Sequence, residues 1–284
     1  MTRLALGTLL IPVAAIAMDV QGHRGARGYL PENTLPAFSR ALEIGVTTLE
    51  LDTGVTRDGV VVVHHDRRLN PDVARGPDGQ WVAAPGPTVY SLTYAELQRY
   101  DVGRIRPGSE YAQRFPHQRP MDGTRIPRLS DLFALAGKTR VRFNIETKLL
   151  PSHPDETVGP EAFARALVGE IRKAGLERRA TIQSFDYRTL KIVEREAPEI
   201  ETVYLTEAKD SQPQKVKAAG ARIWSPDFRA LSKETVDEAH RLGLRIVVWT
   251  VNDPADIARM IEWGLDGVIS DYPDRVLQQL KAKQ

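Results

Sequence analysis

Short apolar runs alternate with amphipathic segments along most of this chain of 284 residues. Runs that are almost continuously apolar are typical of strands buried on both faces of a parallel sheet. Seven such runs lie at 47–52, 141–147, 180–184, 202–206, 221–225, 244–250 and 267–270, and an eighth short run ends at residue 23. Amphipathic segments between most of them predict helices. Eight strands that alternate with helices predict a closed α/β barrel of the (β/α)8, TIM type.

Two of the amphipathic segments carry clear helix boundaries. The first begins with Asn33 or Thr34 as N-cap and ends at Gly45. A second begins at Asp253, which is followed by proline, and ends at Gly264. Small polar residues satisfy the free amides at a helix start, and glycine accepts the left-handed conformation after a helix end.

Two segments interrupt the alternation. Residues 67–128 are rich in Pro, Gly, Arg and Tyr and hold one modest helical pattern, at 92–100. So long an irregular stretch inside a compact domain is usually functional, so we expect an inserted cap over the barrel mouth. In residues 50–66, Asp58-Gly59 between β-prone runs predicts a two-residue turn and therefore an antiparallel hairpin arm.

The predicted turn fixes which residues of the hairpin face each other. A two-residue turn places Thr53 opposite His64 and Asp52 opposite His65, and directly opposed residues share a face. Strand alternation places Glu50 on the face of Asp52. The pattern therefore predicts that two carboxylates and His65 converge, whereas His64 points away from them.

Composition and charge narrow the classes of protein. The length suits one barrel of about 250 residues better than two domains. A net charge of +2 provides no broad basic surface for nucleic acid. The absence of cysteine excludes disulfides, thiolate metal sites and a cysteine nucleophile. Nothing in the sequence predicts an oligomeric state.

The N-terminus predicts export. Arg3 precedes an apolar stretch at 4–17, and Ala15 and Ala17 provide the small residues of a cleavage site. The stretch is too short for a stable membrane span, which needs about 20 apolar residues. We expect residues 1–17 to be a signal peptide, residues 18–284 to form the barrel domain, and the protein to be periplasmic or secreted. A buried first helix or strand is the alternative interpretation.

Three carboxylates at predicted strand ends are candidate metal ligands. Glu146 and Lys148 share a face of one strand, and Glu50 and Asp52 share a face of another. Without cysteine beside them, these carboxylates suit a hard divalent cation such as Mg²⁺ or Ca²⁺. A cation together with Lys148 and Arg24 can clamp a phosphate and stabilise charge on its oxygens.

Two histidines from different strands, His23 and His65, are candidates for general acid and general base. Imidazole titrates near neutral pH, so one ring can take a proton while the other delivers one. The sequence does not decide which histidine is the base.

Several ordered motifs carry a resemblance to a known family. They are His23-Arg24-Gly25, Pro31-Glu32-Asn33-Thr34, Glu50-Leu51-Asp52, His65-Asp66, Glu146-Thr147-Lys148, Gln183-Ser184-Phe185, Trp249-Thr250-Val251-Asn252 and Ser270-Asp271-Tyr272-Pro273. Together, over about residues 20–280, they resemble the motif series of the glycerophosphodiester phosphodiesterase family. Any one of these motifs alone is weak, whereas the ordered series is specific.

The resemblance implies a (β/α)8 barrel that hydrolyses glycerophosphodiesters, such as glycerophosphocholine or glycerophosphoethanolamine, to sn-glycerol 3-phosphate and an alcohol with one divalent cation. By position it implies metal ligands at Glu50, Asp52 and Glu146, an acid and base pair at His23 and His65, phosphate binding at Arg24 and Lys148, and Trp249 beside the glycerol. Segment 67–128 matches none of the motifs, so the leaving alcohol stays open.

Structural roles are the alternatives for these residues. The three carboxylates could form an ion-pair network with Arg24 and Lys148. Trp249 at a strand end suits barrel packing equally well. Glu32 is left out of the catalytic set as a supporting carboxylate or a helix-start charge. His64 and the remaining histidines are taken as structural.

Two other functions are compatible with this barrel. A lysophospholipase D or sphingomyelinase D-like enzyme would need an apolar groove, and segment 67–128 has no sustained apolar face. A binding protein without turnover is the other alternative, because fold alone never proves a reaction. Both histidines and all three carboxylates are present, which favours an enzyme, and the lack of an apolar face in segment 67–128 favours a small diester as its substrate.

Overall fold

The computed structural model describes residues 18–283, and the predicted signal peptide lies outside them, so export stays a prediction. The strands are β1 (Asp19–Gly22), β2 (Thr48–Val55), β3 (Val61–Val63), β4 (Arg142–Thr147), β5 (Ala180–Ser184), β6 (Glu201–Thr206), β7 (Ile223–Pro226), β8 (Arg245–Val248) and β9 (Gly267–Ser270). They pair in the order β1-β9-β8-β7-β6-β5-β4-β2-β3, and β1 also pairs with β2, which closes the sheet. All pairs except β2–β3 are parallel. The predicted eight-stranded barrel is confirmed.

The helices are α1 (Leu35–Ile44), α2 (Tyr94–Leu97), α3 (Glu110–Arg114), α4 (Leu129–Ala136), α5 (Pro160–Lys173), α6 (Tyr187–Glu196), α7 (Pro213–Ala218), α8 (Lys233–Arg241), α9 (Pro254–Trp263) and α10 (Pro273–Ala282). Of the two predicted caps of α1, Thr34 is the N-cap, and Gly45 ends the helix with φ 92°. Asp253 and Gly264 bound α9 as expected. Across residues 18–283, no helix has the length and apolar character needed to span a membrane.

Strand alternation separates two environments. Leu49, Leu51, Phe143 and Ile145 point outward and belong to the core between barrel and helices. Residues between them on β2 and β4 point into the barrel, where polar side chains occupy the β1–β5 side. The opposite side holds a small apolar cluster of Val203, Ile223, Val247 and Ile269. The barrel interior is therefore polar on the side that carries the candidate carboxylates.

The hairpin exists, but its predicted register is wrong by one residue. Val55 pairs with Val61 rather than with Val62, and the amide of His64 donates to the carbonyl of Asp52 at 3.0 Å. A two-residue type I′ or II′ turn at Asp58-Gly59 would need positive φ at Asp58, and only Gly59 adopts it. The loop has three residues instead, with Gly59 in the left-handed position. Asp52 is therefore opposite His64, not His65.

Segment 67–128 has a small core of its own. The predicted helix at 92–100 appears as the single turn of α2, and the short α3 was not predicted. Its buried apolar residues, which include Leu69, Val89 and Leu97, pack against Val62 of the hairpin. Because β3 and this segment share a core, the segment is anchored beside the carboxyl ends of the barrel strands.

Candidate active site

A cavity of about 430 Å³ opens at the carboxyl ends of the barrel strands. Strand ends and the loops after them supply most of its wall, and segment 67–128 supplies Asn70, Tyr111 and Arg114. Active sites of this type of barrel lie at the same end. All eight residues that the sequence singled out are in this region, although Asp52 lies below the cavity surface.

Three buried carboxylates lie at or just beneath its floor. Asp52 is the register neighbour of Glu146, and Glu50 lies one pleat below on the same face. One ligand oxygen from each of the three residues lies within 4.8 Å of the others. Burial and the charge of Asp52 raise the pKa of Glu50 well above its ordinary value, and burial raises the pKa of Glu146 to about 7. The cluster therefore concentrates negative charge that its surroundings balance only in part.

Backbone and amide donors fix the orientation of these carboxylates. Gln183 Nε2 donates to Glu50 Oε1 at 2.7 Å, and the amide of Arg24 donates to Glu50 Oε2 at 3.0 Å. Asn33 Nδ2 donates to Asp52 Oδ2 at 2.9 Å. Arg24 and Asn33 reach these positions with positive φ angles of 51° and 56°, a conformation that non-glycine residues seldom adopt.

The candidate phosphate-binding cations touch the same cluster. Lys148 Nζ lies 2.8 Å from Glu146 Oε1 and 3.5 Å from Asp52 Oδ1. Arg24 Nη1 donates to Glu32 Oε1 at 2.8 Å, and Arg24 Nε lies 3.2 Å from Asp52 Oδ2. Burial would raise the pKa of Asp52, but Arg24 and Lys148 hold it well below its ordinary value. The ion pairs of the alternative interpretation are therefore present, with Glu32 as an additional partner.

A charge comparison tests whether a cation fits here. Six carboxylates at or beneath the cavity wall face four cationic side chains; these are Glu32, Glu50, Asp52, Asp66, Glu146 and Asp271 against Arg24, Arg27, Arg114 and Lys148. When all are ionised, two negative charges remain, the charge of one divalent cation. The donors are all oxygen, which Mg²⁺ and Ca²⁺ prefer. The residues therefore fit such an ion.

His23 lies at the end of β1 with one nitrogen tied to a buried carboxylate. Its Nδ1 lies 2.7 Å from Asp271 Oδ1, and its Nε2 lies 3.9 Å from Glu50 Oε2. Arg27 donates two further hydrogen bonds to Asp271. Burial and the charge of Arg27 lower the pKa of His23 to about 4. The neutral ring thus donates from Nδ1 and keeps its Nε2 lone pair for the cavity.

His65 has a similar arrangement across the cavity. Its Nδ1 lies 2.7 Å from Asp66 Oδ1, and Asn70 donates to the other oxygen of Asp66 at 2.9 Å. Burial, followed by the charges of Arg24 and Lys148, lowers the pKa of His65 to about 4. His65 lines the cavity although its predicted register was wrong, because β3 ends at Val63 and the chain then leaves the regular pleat.

Trp249 contributes to the apolar side of the cavity. Its Nε1 donates to the carbonyl of Ser225 at 3.0 Å, and its ring meets Phe185 edge-on at 5.6 Å between centroids. Leu205 and Ile269 line the cavity on the same side. An apolar wall beside a charged floor suits a ligand with a carbon backbone and an anionic group.

Several residues that contact the predicted site residues were not predicted from the sequence. Asp271, Gln183 and Asp66 stand inside the quoted motifs but were given no role, so their motif membership was the available signal. Arg27 follows the first motif by two residues and had no signal of its own. Tyr111 belongs to segment 67–128, which was predicted to cover the barrel mouth, but nothing in the sequence singled out this tyrosine.

Comparison with known proteins agrees with the resemblance found in the sequence motifs. The family model described as the glycerophosphoryl diester phosphodiesterase family matches residues 23–275. The chain is 31% identical over 281 residues to the glycerophosphodiester phosphodiesterase of Bacillus subtilis (strain 168), covering 94% of this chain and 87% of that protein. It is 30% identical over 264 residues to the glycerophosphodiester phosphodiesterase of Caldanaerobacter subterraneus subsp. tengcongensis, covering 92% and 97%.

A solved structure is similar along nearly its whole length. A crystal structure from Silicibacter pomeroyi DSS-3, attributed to a glycerophosphoryl diester phosphodiesterase, superposes with a TM-score of 0.89 at 37% identity. The match covers 94% of each chain. It therefore includes the barrel and most of segment 67–128.

Proposed function

The chain belongs to the glycerophosphoryl diester phosphodiesterase family, and from this membership and the cavity we propose that it hydrolyses small glycerophosphodiesters to sn-glycerol 3-phosphate and an alcohol. One observation carries the proposal. A single cavity joins the Glu50, Asp52 and Glu146 cluster to two histidines, each held by a carboxylate. This combination provides charge stabilisation and paired proton transfer, the two requirements of phosphodiester hydrolysis.

Arg24 and Lys148 bind the substrate phosphate in this scheme. Both lie at the cavity wall with donors still available after their ion pairs, since a guanidinium has five N–H groups and an ammonium three. The apolar wall that includes Trp249 takes the glycerol backbone. Binding in this way places the phosphorus between the two histidines.

Glu50, Asp52 and Glu146 hold one Ca²⁺ or Mg²⁺. When bound, such an ion neutralises the carboxylate cluster and stabilises negative charge on the phosphate oxygens. Gln183, Asn33 and the amide of Arg24 fix the orientation of the Glu50 and Asp52 carboxylates.

The two histidines move the protons. The reaction forms one P–O bond and breaks the P–O bond to the leaving alcohol. The attacking oxygen comes from water, or from a neighbouring hydroxyl of the substrate to give a cyclic phosphate that water then opens to glycerol 3-phosphate. One imidazole accepts the proton of the attacking oxygen at Nε2. The other donates to the leaving oxygen from Nε2, once the negative charge of the bound phosphate has raised its pKa and it has taken up a proton. Asp271 and Asp66 hold each ring by its Nδ1–H, which keeps Nε2 directed at the reacting atoms.

Binding of the cation should raise thermal stability, because the ion relieves repulsion within the buried cluster. Adding Mg²⁺ or Ca²⁺ at about 100 times its dissociation constant to protein treated with EDTA should raise Tm by about 5 °C or more. Differential scanning calorimetry measures the shift. Glu146→Gln should reduce it strongly, whereas Glu156→Gln, outside the cluster, should retain it. A Tm that does not respond to either ion in the unmodified protein would contradict the metal assignment.

A second candidate is favoured by one specific observation. A groove of about 550 Å³ adjoins the cavity, shares Lys148, Phe185 and Leu205 with it, and is also lined by Leu149 and Leu150. The apolar side chains of this groove come from the ends of β4, β5 and β6 and the loops after them, outside segment 67–128. The groove offers a place for the acyl chain of a lysophospholipid, as a lysophospholipase D would need.

Substrate comparison separates the two candidates. We expect glycerophosphocholine to be turned over with a kcat/KM at least about tenfold above that for lysophosphatidylcholine. Much of the groove wall is charged, which disfavours an acyl chain; its charged residues include Arg67, Glu207, Lys209 and Asp210. Choline release measured under equal metal and salt conditions provides both values. A clear preference for lysophosphatidylcholine would establish the second candidate, and no turnover of any glycerophosphodiester would reject the proposal.

A further inference from the structure

Helix α3 connects segment 67–128 to the charged side of the cavity. Its Tyr111 ring packs edge-on against Phe115, with centroids 5.2 Å apart. The guanidinium of Arg27 stacks on Phe115, with Cζ 4.6 Å from the ring centroid. Gln118 Nε2 donates to the carbonyl of Arg27 at 2.8 Å. The segment is therefore packed against Arg27, a residue of the barrel.

The Tyr111 hydroxyl bridges two charged residues of the barrel. It donates to Glu32 Oε2 and accepts from Arg27 Nη1 at 3.2 Å. Arg27 Nη1 and Glu32 Oε2 are themselves 3.8 Å apart, beyond a hydrogen bond. Burial and the charge of Glu32 raise the pKa of Tyr111, so the hydroxyl keeps the proton that it donates.

Each of these two residues holds a different group of the proposed machinery. Glu32 accepts from Arg24 Nη1 at 2.8 Å, so it orients the guanidinium assigned to the phosphate. Arg27 donates to both oxygens of Asp271, at 2.7 and 3.1 Å, and Asp271 holds His23. The Tyr111 hydroxyl thus contacts both Glu32, which orients the arginine assigned to the phosphate, and Arg27, which holds the aspartate partner of His23.

We propose that Tyr111 is a positioning residue through which segment 67–128 aligns Arg24 and His23 for the reaction. The inference rests on the proposed function, since it assigns those two residues their roles. Without the hydroxyl, Glu32 loses a donor and Arg27 loses an acceptor, both in a buried setting where unpaired polar groups are costly. Both side chains then shift, and with them the groups they hold.

Tyr111→Phe tests the proposal, because it removes the hydroxyl and keeps the ring. We expect kcat/KM for glycerophosphocholine to fall about tenfold to a hundredfold, the scale seen when an outer partner of a site is removed. The loss should appear in KM through Arg24 and in kcat through His23. Combined with Glu32→Gln, the loss should be smaller than the product of the single losses, because the two residues act through a shared contact.

Tyr94→Phe in α2 is the matched control, with the same chemical change in the same segment and no contact with the cavity. It should retain full activity. Equal kcat and KM in Tyr111→Phe and Tyr94→Phe would overturn the inference. So would a loss in Tyr111→Phe that merely follows the folded fraction measured by circular dichroism. An unmodified protein inactive on every glycerophosphodiester would instead reject the proposed function.

Discussion

Replacing His65 by alanine should lower kcat for glycerophosphocholine at least about a hundredfold, the usual scale for losing a general acid or base. His65 lines the cavity, and only Nδ1 is engaged, with Asp66. Alanine removes the nitrogen that faces the substrate but leaves the carboxylate floor intact. The His65 side chain is 28% exposed, so truncating it to alanine removes little core packing. Folding should therefore change little while the chemical step slows.

Steady-state kinetics at saturating substrate, with Tm measured in parallel, checks this outcome. His117→Ala is the matched control, because His117 is exposed in segment 67–128 and does not line the cavity. It should behave as the unmodified protein. A His65→Ala enzyme with unchanged kcat would show that another group performs this proton transfer, and His64, its buried neighbour, would be the next to test.

The barrel could be predicted from the sequence because parallel strands covered on both sides are apolar almost throughout. The same alternation that points Leu49 and Leu51 outward points Glu50 and Asp52 inward, so a strand pattern alone indicated where the carboxylates gather. Eight such strands are enough to close the sheet into a barrel. Local capping residues such as Thr34 and Gly45 fixed a helix boundary because their effect depends on few neighbours.

The hairpin register shows the limit of local rules. Asp58-Gly59 is compatible with a two-residue turn and with a three-residue loop, and the choice depends on whether Asp58 adopts positive φ. Contacts from distant residues influence that choice: the Tyr94 amide donates to Asp58 Oδ1 at 2.9 Å. The sequence of the hairpin alone contains no information about this partner.

The residues that orient the site could not be predicted from sequence patterns either, because their contacts join distant parts of the chain. Asp271 reaches His23 across 248 positions of sequence, and Tyr111 reaches Glu32 from a segment without periodicity. Nothing in the periodicity or motif spacing ranks one buried acid above another as a histidine partner. Only the closed barrel, which places β9 beside β1, brings Asp271 to His23.

Asp271→Asn should lower kcat by about a thousandfold or more, comparable with the loss of an aspartate that fixes the tautomer of a catalytic histidine. The asparagine can present its NH₂ group to His23 Nδ1, and the neutral ring then carries its proton on Nε2. In that tautomer Nε2 has no lone pair to accept a proton, and no carboxylate at Nδ1 stabilises the imidazolium that would donate one. The same change removes the carboxylate that accepts two hydrogen bonds from Arg27, and Glu32, 3.8 Å away, remains as its anionic neighbour. Removing one partner of a buried ion pair costs about 3 kcal/mol or more, so Tm should also fall.

Stability and chemistry are separated by measuring kcat well below the lowered Tm, where the variant is folded. Asp227→Asn is the control, because Asp227 is also buried, paired with an arginine (Arg229) and placed after a barrel strand. Unlike that of Asp271, its side chain holds no residue that lines the cavity. We expect it to lose stability while kcat stays within about threefold, since its pair touches no reacting group. If both variants lost kcat equally, the loss in Asp271→Asn would be explained by a less rigid barrel rim. A loss of kcat in Asp271→Asn alone would show that Asp271 acts by fixing the tautomer of His23.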